Sequence, residues 1–192
     1  MRFYIQTEPQ FMDQSIEEIR FITGLTPMKH DELPDILLLN TDTITETAVL
    51  LSLFSETTKL FFIELGKWKF SELDELYDIG LQTTWPNFFS NTMTFAVRPQ
   101  VDDVELAKKV GKDVGQAVVD SFKQQGYNRP KVNLSDPDIE IYAWLTEKQE
   151  IILGLNLCGD ELNSDNDILA RSILILSQWN RATDLGEIFC GG

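Results

Sequence analysis

The sequence predicts an α+β fold, and two observations support that prediction. Over residues 1–66, short apolar segments suited to strands alternate with two segments in which apolar residues recur at helical spacing. Between residues 93 and 157, one long amphipathic segment precedes two strand-like segments that a short polar turn joins into a hairpin. At 192 residues, the chain is long enough for about one to two domains.

The N-terminal part is predicted to be a ferredoxin-like unit. Its elements follow in the order strand, helix, strand, helix, strand, with strands over residues 2–7, 36–40 and 59–65 and helices over residues 12–23 and 43–54. Gly24 ends the first helix, Asp42 is the candidate N-cap of the second, and Gly66 stops the third strand. This alternation over ~65 residues is typical of a ferredoxin-like α+β unit.

The rest of the chain continues the α+β pattern. Residues 71–74, Ser-Glu-Leu-Asp, match the Ser/Thr-x-x-Asp/Glu pattern of a helix start, and this helix should end near Gln82. A break at Trp85-Pro86-Asn87 follows. The remaining strands are expected over residues 93–97, 131–134, 139–146, 150–157 and from 185 onward, and the remaining helices over residues 102–124 and 164–179.

The charge of the chain limits its partners. It carries 16 Lys and Arg against 31 Asp and Glu, a formal net charge of −15. Binding of nucleic acid or of an anionic membrane over the whole surface is therefore disfavoured, and a nucleic-acid site needs a local basic patch. No apolar segment approaches the ~18 residues that span a bilayer, and Gln6 and Glu8 interrupt any signal-peptide core. We expect a cytoplasmic protein without membrane association.

Few residues are available for catalysis or metal binding. Cys158 and Cys190 are far apart in the sequence and neither has a CxxC partner, which excludes a Cys-based zinc site and a disulfide framework. The only histidine, His30, lies among loop-like residues, so Ser-His-Asp triads and paired-His metal sites are excluded as well. The sequence thus predicts neither catalytic nor metal-ligating residues.

Only one window of the chain has a positive charge balance. Residues 98–131 contain seven basic and five acidic side chains, and several lysines share an arc beside the apolar face of the predicted helix. Gly111 and Gly115, one turn apart, allow close approach of the backbone to a sheet or to a phosphate. Two interpretations stay open: a solvated helix face packed on a sheet, or a stripe that contacts phosphates. Similarly, Tyr142 and Trp144 are either packing residues or platforms for base stacking.

Four segments together resemble the THUMP domain. They are Phe-Ala-Val-Arg-Pro at residues 95–99, Val-Gly-Lys-Asp-Val-Gly-Gln-Ala-Val at residues 110–118, residues 131–141 with Pro-Asp-Ile-Glu-Ile, and residues 153–162. The resemblance implies an RNA-binding module of tRNA- or rRNA-modifying enzymes, and it is closest to archaeal tRNA (guanine-N2) methyltransferases of the THUMP type. It implies a ferredoxin-like domain at residues 1–75, a THUMP domain at residues 76–161 and the start of a Rossmann-like methyltransferase domain at residues 162–192.

The C-terminal tail extends this resemblance. Residues 187–192, Glu-Ile-Phe-Cys-Gly-Gly, are similar to the glycine-rich turn with which THUMP methyltransferases hold S-adenosylmethionine, with Glu187 and Ile188 in place of the usual Asp-Pro. The resemblance implies Cys190, Gly191 and Gly192 as a partial cofactor site, and S-adenosylmethionine as the cofactor of the full-length family but not of this chain. The catalytic (N/D)PP(Y/F) motif is absent, so we expect no catalytic residues and no methylation by this chain alone.

The resemblance also implies partners. The phosphate-contacting candidates for tRNA or another structured RNA are Arg98, Lys108, Lys112, Arg129 and Lys131. A methyltransferase domain on another chain and self-association through the C-terminal helix are further expected contacts. The loop at residues 99–103 is short and acidic, unlike the basic loop common in the family. It keeps open a second hypothesis, a degenerate THUMP adaptor that docks a partner protein without binding RNA; a complete small enzyme is a third.

Overall fold

The computed structural model describes residues 1–157, which form two compact units. Among these residues, the first unit comprises Met1–Glu64 with Asn156 and Leu157, and the second comprises Leu65–Leu155. The predicted α+β class is confirmed. Within residues 1–157, every helix is too short or too polar to cross a membrane. The predicted methyltransferase start at residues 162–192 lies outside the described residues.

Strands and helices alternate along both units. The first unit contains β1 (Arg2–Thr7), α1 (Met12–Thr23), β2 (Met28–Lys29), β3 (Ile36–Asn40), α2 (Ile44–Phe54) and most of β4 (Thr58–Lys69). The second contains the end of β4, then α3 (Leu76–Gln82), β5 (Thr94–Gln100), α4 (Val104–Gln124), β6 (Lys131–Val132), β7 (Ile139–Leu145) and β8 (Glu150–Asn156). The predicted bounds of β1, α1 and β3 are confirmed to the residue.

The first unit is built on an antiparallel sheet in the order β2-β3-β1-β4. Phe3, Tyr4 and Ile5 of β1 are at most 1% exposed, so this strand is buried on both faces. A hydrogen bond of 2.6 Å joins the hydroxyls of Thr7 on β1 and Ser15 on α1. The short edge strand β2 was not predicted, because two residues are too few to show a periodicity.

The start of α2 differs from its prediction. The helix begins at Ile44 with Thr43 as N-cap, so the assignment of Asp42 as the cap was wrong. Thr41 provides the local hydrogen bonds instead: its Oγ1 accepts the Thr43 N–H at 3.0 Å and lies 3.0 Å from Oγ1 of Thr47. Because both threonines are buried, their hydroxyls need partners, and this need fixes the turn.

Strand β4 does not stop at Gly66, as the sequence predicted, but continues to Lys69. A Cβ atom at Gly66 would lie 2.2 Å from the indole ring of Trp68, so the missing side chain lets that ring pack over the strand. Just beyond the strand, the Phe70 N–H donates to the carbonyl of Gln149 at 2.9 Å. The glycine is therefore a packing site within a strand.

The second unit contains a mixed sheet in the order β8-β7-β5-β6. Strand β5 is parallel to both β6 and β7, and β7 forms the predicted antiparallel hairpin with β8. Helix α4 connects β5 to β6, as a parallel crossover requires. Helix α3 packs on α4 so closely that a Cβ atom at Gly80 would lie 2.7 Å from the Cβ of Ala117.

Both helix starts in this unit are shifted from the predicted positions. Helix α4 begins at Val104, and Asp103 caps it by accepting the Leu106 N–H at 2.8 Å. Ahead of α3, the Glu75 carboxylate accepts the Ser71 and Glu72 N–H groups at 3.2 and 3.0 Å. The predicted helix start at Ser71–Asp74 was therefore wrong by one residue. The pattern is formed by Glu72 and Glu75, because the longer glutamate side chain reaches back to the N–H groups.

Candidate nucleic-acid interface

Arg98, the first predicted RNA contact, is tied down within the sheet. Its Nε donates to Oε1 of Glu140 at 2.7 Å, and its Nη1 donates to the carbonyl of Leu134 at 2.9 Å. The Glu140 side chain is only 5% exposed and that of Arg98 28%. These bonds hold the loop between β6 and β7 against the sheet, and they use two of the N–H donor groups of the Arg98 guanidinium.

Lys108 and Lys112 lie one turn apart on the exposed side of α4, as predicted. Nζ of Lys108 is 2.6 Å from Oε1 of Glu105, whereas Lys112 forms no ion pair within residues 1–157. The exposed Lys108 pair is worth at most ~1 kcal/mol, so that lysine can exchange its partner. Lys109 differs, because the hydrogen bonds that it donates to Asp74 and Asp113 raise its pKa and hold it against the protein.

Arg129 and Lys131 are exposed and form no ion pair with any of the described residues. They occupy the segment from the end of α4 to β6, which begins at Gly126 with a positive φ of 80°. Tyr127 in the same loop is 53% exposed, and its ring rests edge-on against Phe122 with centroids 6.2 Å apart. Two unpaired cations and an open aromatic ring therefore lie within five residues of the chain, a combination suited to phosphate contact and base stacking.

The five predicted contacts are distributed over different parts of the sheet. Gly111 and Gly115 lie beside Pro99 and Val97, so α4 covers that sheet face and Arg98 faces the other way. Lys131 pairs in register with Thr94, at the opposite end of β5. At ~3.3 Å per strand residue, Lys131 and Lys112 are ~10–17 Å apart along the strand direction.

These positions define two groups, which we name by the end of β5 that they adjoin. The amino-end group consists of Tyr127, Arg129 and Lys131. The carboxyl-end group consists of Lys108 and Lys112. Whether either group contacts RNA stays a prediction.

For two pairs of residues, the sequence left open whether they pack inside the protein or contact nucleic acid. Tyr142 and Trp144 stack on each other with centroids 5.0 Å apart, and both are more than nine-tenths buried. Added Cβ atoms at Gly111 and Gly115 would meet Pro99 at 3.5 Å and Val97 at 3.8 Å. In the structure the two aromatic rings pack inside the protein and the two glycines face a strand, so the packing interpretation holds for both pairs.

Comparison with known proteins assigns the second unit. The family model of the THUMP domain matches residues 70–153. The chain contains a THUMP domain. In this THUMP domain, the matched range includes β5, α4 and the β7–β8 hairpin, on which the resemblance in the sequence was based.

Relatives of the chain are larger proteins. It is 26% identical over 156 residues to ribosomal RNA large subunit methyltransferase K/L of Colwellia psychrerythraea, covering 73% of this chain and 22% of that protein. Among solved structures, a possible methylase from Clostridium difficile aligns with a TM-score of 0.67 at 14% identity, over 83% of this chain and 42% of that one. A 4-thiouridine synthetase in complex with RNA aligns with a TM-score of 0.52 at 15% identity, over 81% and 41%. The chain therefore spans less than half of each of these three proteins, and the two structures support the fold alone.

Sequence reasoning missed two exposed side chains of the THUMP unit. Tyr127 was assigned to a loop without a role; its signal is a large aromatic residue that directly follows Gly126 and lies two positions before Arg129 in an otherwise polar turn. Lys69, exposed and without an ion pair among residues 1–157, was missed because the strand was expected to stop at Gly66. The predicted cofactor residues Cys190, Gly191 and Gly192 lie outside the described residues. Within the described part, no cluster of three or more His, Cys, Asp and Glu side chains could hold a metal ion.

Proposed function

We propose that this chain is the RNA-binding part of an RNA-modifying enzyme. The observation that carries the proposal is the amino-end group, in which Arg129 and Lys131 are exposed, have no ionic partner among residues 1–157 and lie within five residues of the exposed ring of Tyr127 in the chain. Such cations gain free energy from phosphate contact without first breaking an internal ion pair. The THUMP match and the rRNA methyltransferase relative support the same function, and the comparisons do not favour the adaptor hypothesis.

We propose tRNA as the RNA, in a cytoplasmic protein related to the archaeal guanine-N2 type. The support is the set of four sequence segments that resemble that type. We also propose that the first unit is ferredoxin-like. Its element order β1-α1-β2-β3-α2-β4 and its antiparallel strand order β2-β3-β1-β4 support that arrangement, because they contain two split strand-helix-strand units.

We propose that methyl transfer, with S-adenosylmethionine as the methyl donor, belongs to a catalytic domain beyond this chain, either in the same protein or on another chain. The support is the THUMP methyltransferase relative, of which this chain covers 22%. In that arrangement the chain alone binds no S-adenosylmethionine and is not catalytic, and the segment at residues 164–179, which the sequence predicts to be helical, is a candidate contact for the catalytic domain or for self-association. Calorimetric titration with S-adenosylmethionine tests this, and a saturable isotherm would contradict it.

The direct test of RNA binding is a titration of the chain with unmodified tRNA at several salt concentrations. Phosphate contacts release counterions, so the logarithm of the association constant should fall linearly with the logarithm of the salt concentration, by ~0.7–0.9 per contact. We expect measurable binding near 50 mM salt and a slope of about −1.4 to −3.6 for two to four contacts. Absence of binding at low salt, with the fold verified by circular dichroism, would overturn the proposal.

A further inference from the structure

The outward face of α2 is apolar, which is unusual for a surface helix. The helix buries Thr47, Ala48 and Leu51 against its own unit. At 100° per residue, the opposite side carries Glu46, Val49 and Leu53, with Leu50 at its border, and Phe54 is the last residue of the helix. Leu53 is 50% and Phe54 60% exposed, and Val49 and Leu50 are half-buried. A helix at a solvated surface normally has polar residues there, so the fold of residues 1–64 does not account for this apolar face.

Helix α1 extends the apolar surface. Glu18 of α1 bonds to the chain that follows α2, accepting the Ser55 hydroxyl at 2.9 Å and the Glu56 N–H at 2.7 Å. Phe21, which is 91% exposed, lies one helical turn after Glu18 and therefore close to the end of α2. We call Val49, Leu50, Leu53, Phe54 and Phe21 the α2 outer face.

The charge around this face selects its partner. Residues 1–64 contain four basic and eleven acidic side chains, and the exposed Glu17, Glu46 and Glu56 lie on or next to the α2 outer face. RNA and anionic membranes are repelled by such a surface. A second copy of the chain carries the same charge of −15, so self-pairing through this face is opposed as well.

We propose that the α2 outer face docks a partner protein through a segment that combines aliphatic or aromatic anchors with flanking lysines and arginines. The apolar stripe from Val49 to Phe54, with Phe21 beside it, offers places for anchor side chains at helical spacing. The acidic residues at its border supply complementary charge, which favours association and orients the partner. The RNA-binding residues proposed above all belong to the other unit, so this interaction is independent of RNA binding.

The test uses the full chain and a synthetic amphipathic helical peptide of roughly five turns, with Leu and Phe on one face and Lys and Arg at its borders. A matched peptide has the same apolar positions and Glu at the borders. Fluorescence anisotropy should show micromolar binding of the basic peptide and at least about tenfold weaker binding of the acidic one. Leu53→Ser combined with Phe54→Ser, or Phe21→Ser alone, should weaken the basic peptide by about tenfold or more.

Leu134→Ser is the matched control, because Leu134 is 67% exposed and lies in the THUMP unit; it should bind the peptide as the unchanged chain does. Thermal unfolding of each variant verifies its fold, since exposed side chains contribute little to stability. Equal binding of both peptides, or binding that survives all substitutions, overturns the proposal. Dissociation of a dimer by Leu53→Ser in sedimentation would also overturn it, because the face would then bind a second copy of the chain. So would binding of phosphatidylcholine vesicles through the same residues when the basic peptide fails to bind, because the face would then contact a membrane.

Discussion

Replacing Arg129 and Lys131 together by glutamine should reduce tRNA binding by an amount that follows from the structure. Neither side chain has an ionic partner among residues 1–157, so each is counted as one full phosphate contact. Two contacts contribute ~1.4–1.8 to the salt slope. At about 0.1 M salt, this corresponds to a loss of roughly 25- to 60-fold in the association constant.

The assay is a filter-binding or anisotropy titration of tRNA at four or more salt concentrations. The control is the double variant Lys123→Gln with Asp120→Asn, which removes the ion pair of 2.8 Å near the end of α4 without changing the net charge. Its salt slope should stay within error of that of the unchanged chain. If the Arg129/Lys131 variant keeps the full slope while it remains folded, the amino-end group does not contact phosphate and the reasoning from unpaired cations fails.

Three further predictions concern the framework. Gly80→Ala should destabilise the protein by about 1–2 kcal/mol in urea unfolding, because the new Cβ would lie 2.7 Å from that of Ala117. Gly115→Ala should instead stabilise the protein by about 0.5–1 kcal/mol, because its Cβ would lie 3.8 Å from Val97, an ordinary contact distance. Equal effects of the two substitutions would contradict the packing argument. Arg98→Met should destabilise the protein by about 1–3 kcal/mol, because it removes the ion partner that lies 2.7 Å from the buried Glu140 carboxylate, and adding Glu140→Leu should restore much of that loss; no rescue would show that the pair is not the cause. Burial of Glu18 favours its neutral form, but hydrogen bonds from Thr57, Glu56 and Ser55 outweigh burial and lower its pKa below 4.5. Its stabilising contribution is therefore present above pH 4.5 and is lost as pH falls through the lowered pKa. Glu18→Gln should be less stable than the unchanged chain at pH 7, and this difference should shrink as the pH falls below 4.5; a constant difference would refute this.

The secondary structure was predictable where a single periodicity dominates. The amphipathic pattern of α1 and the apolar run of β3 depend on residues a few positions apart, and both were placed to the residue. Prediction failed where a distant or competing group determines the outcome. Gly66 was taken as a stop, but the sequence does not show that the Trp68 ring packs over it. Similarly, Asp42 has good cap chemistry, but the buried hydroxyls of Thr41 and Thr47 determine the turn.

The sequence predicted which residue types form the candidate site, but it did not predict how they are arranged in space. Arg98 and the lysines of α4 were grouped because they are close in the sequence and share the basic window. Strand alternation then separates them, since Val97 and Pro99 face α4 and Arg98 faces the opposite side. Which cations are already paired is a tertiary property as well: Lys109 is bound to Asp74, 35 positions away in the chain.

The acidic composition does not by itself prevent RNA binding, because the relevant field is local. At about 0.1 M salt, exposed charges more than ~10 Å apart are largely screened from each other. Lys131 lies ~10–17 Å along β5 from the level of Lys112, and the acidic partners of Lys108 and Lys109 lie at that far end or beyond it. Near Lys131, Asp138 is engaged with Thr94, whose N–H and hydroxyl donate to it at 2.7 and 2.8 Å. A phosphate at the amino-end group therefore meets two cations that have no ionic partner in the described part of the chain, and negative charge elsewhere acts mainly by disfavouring RNA on the rest of the surface.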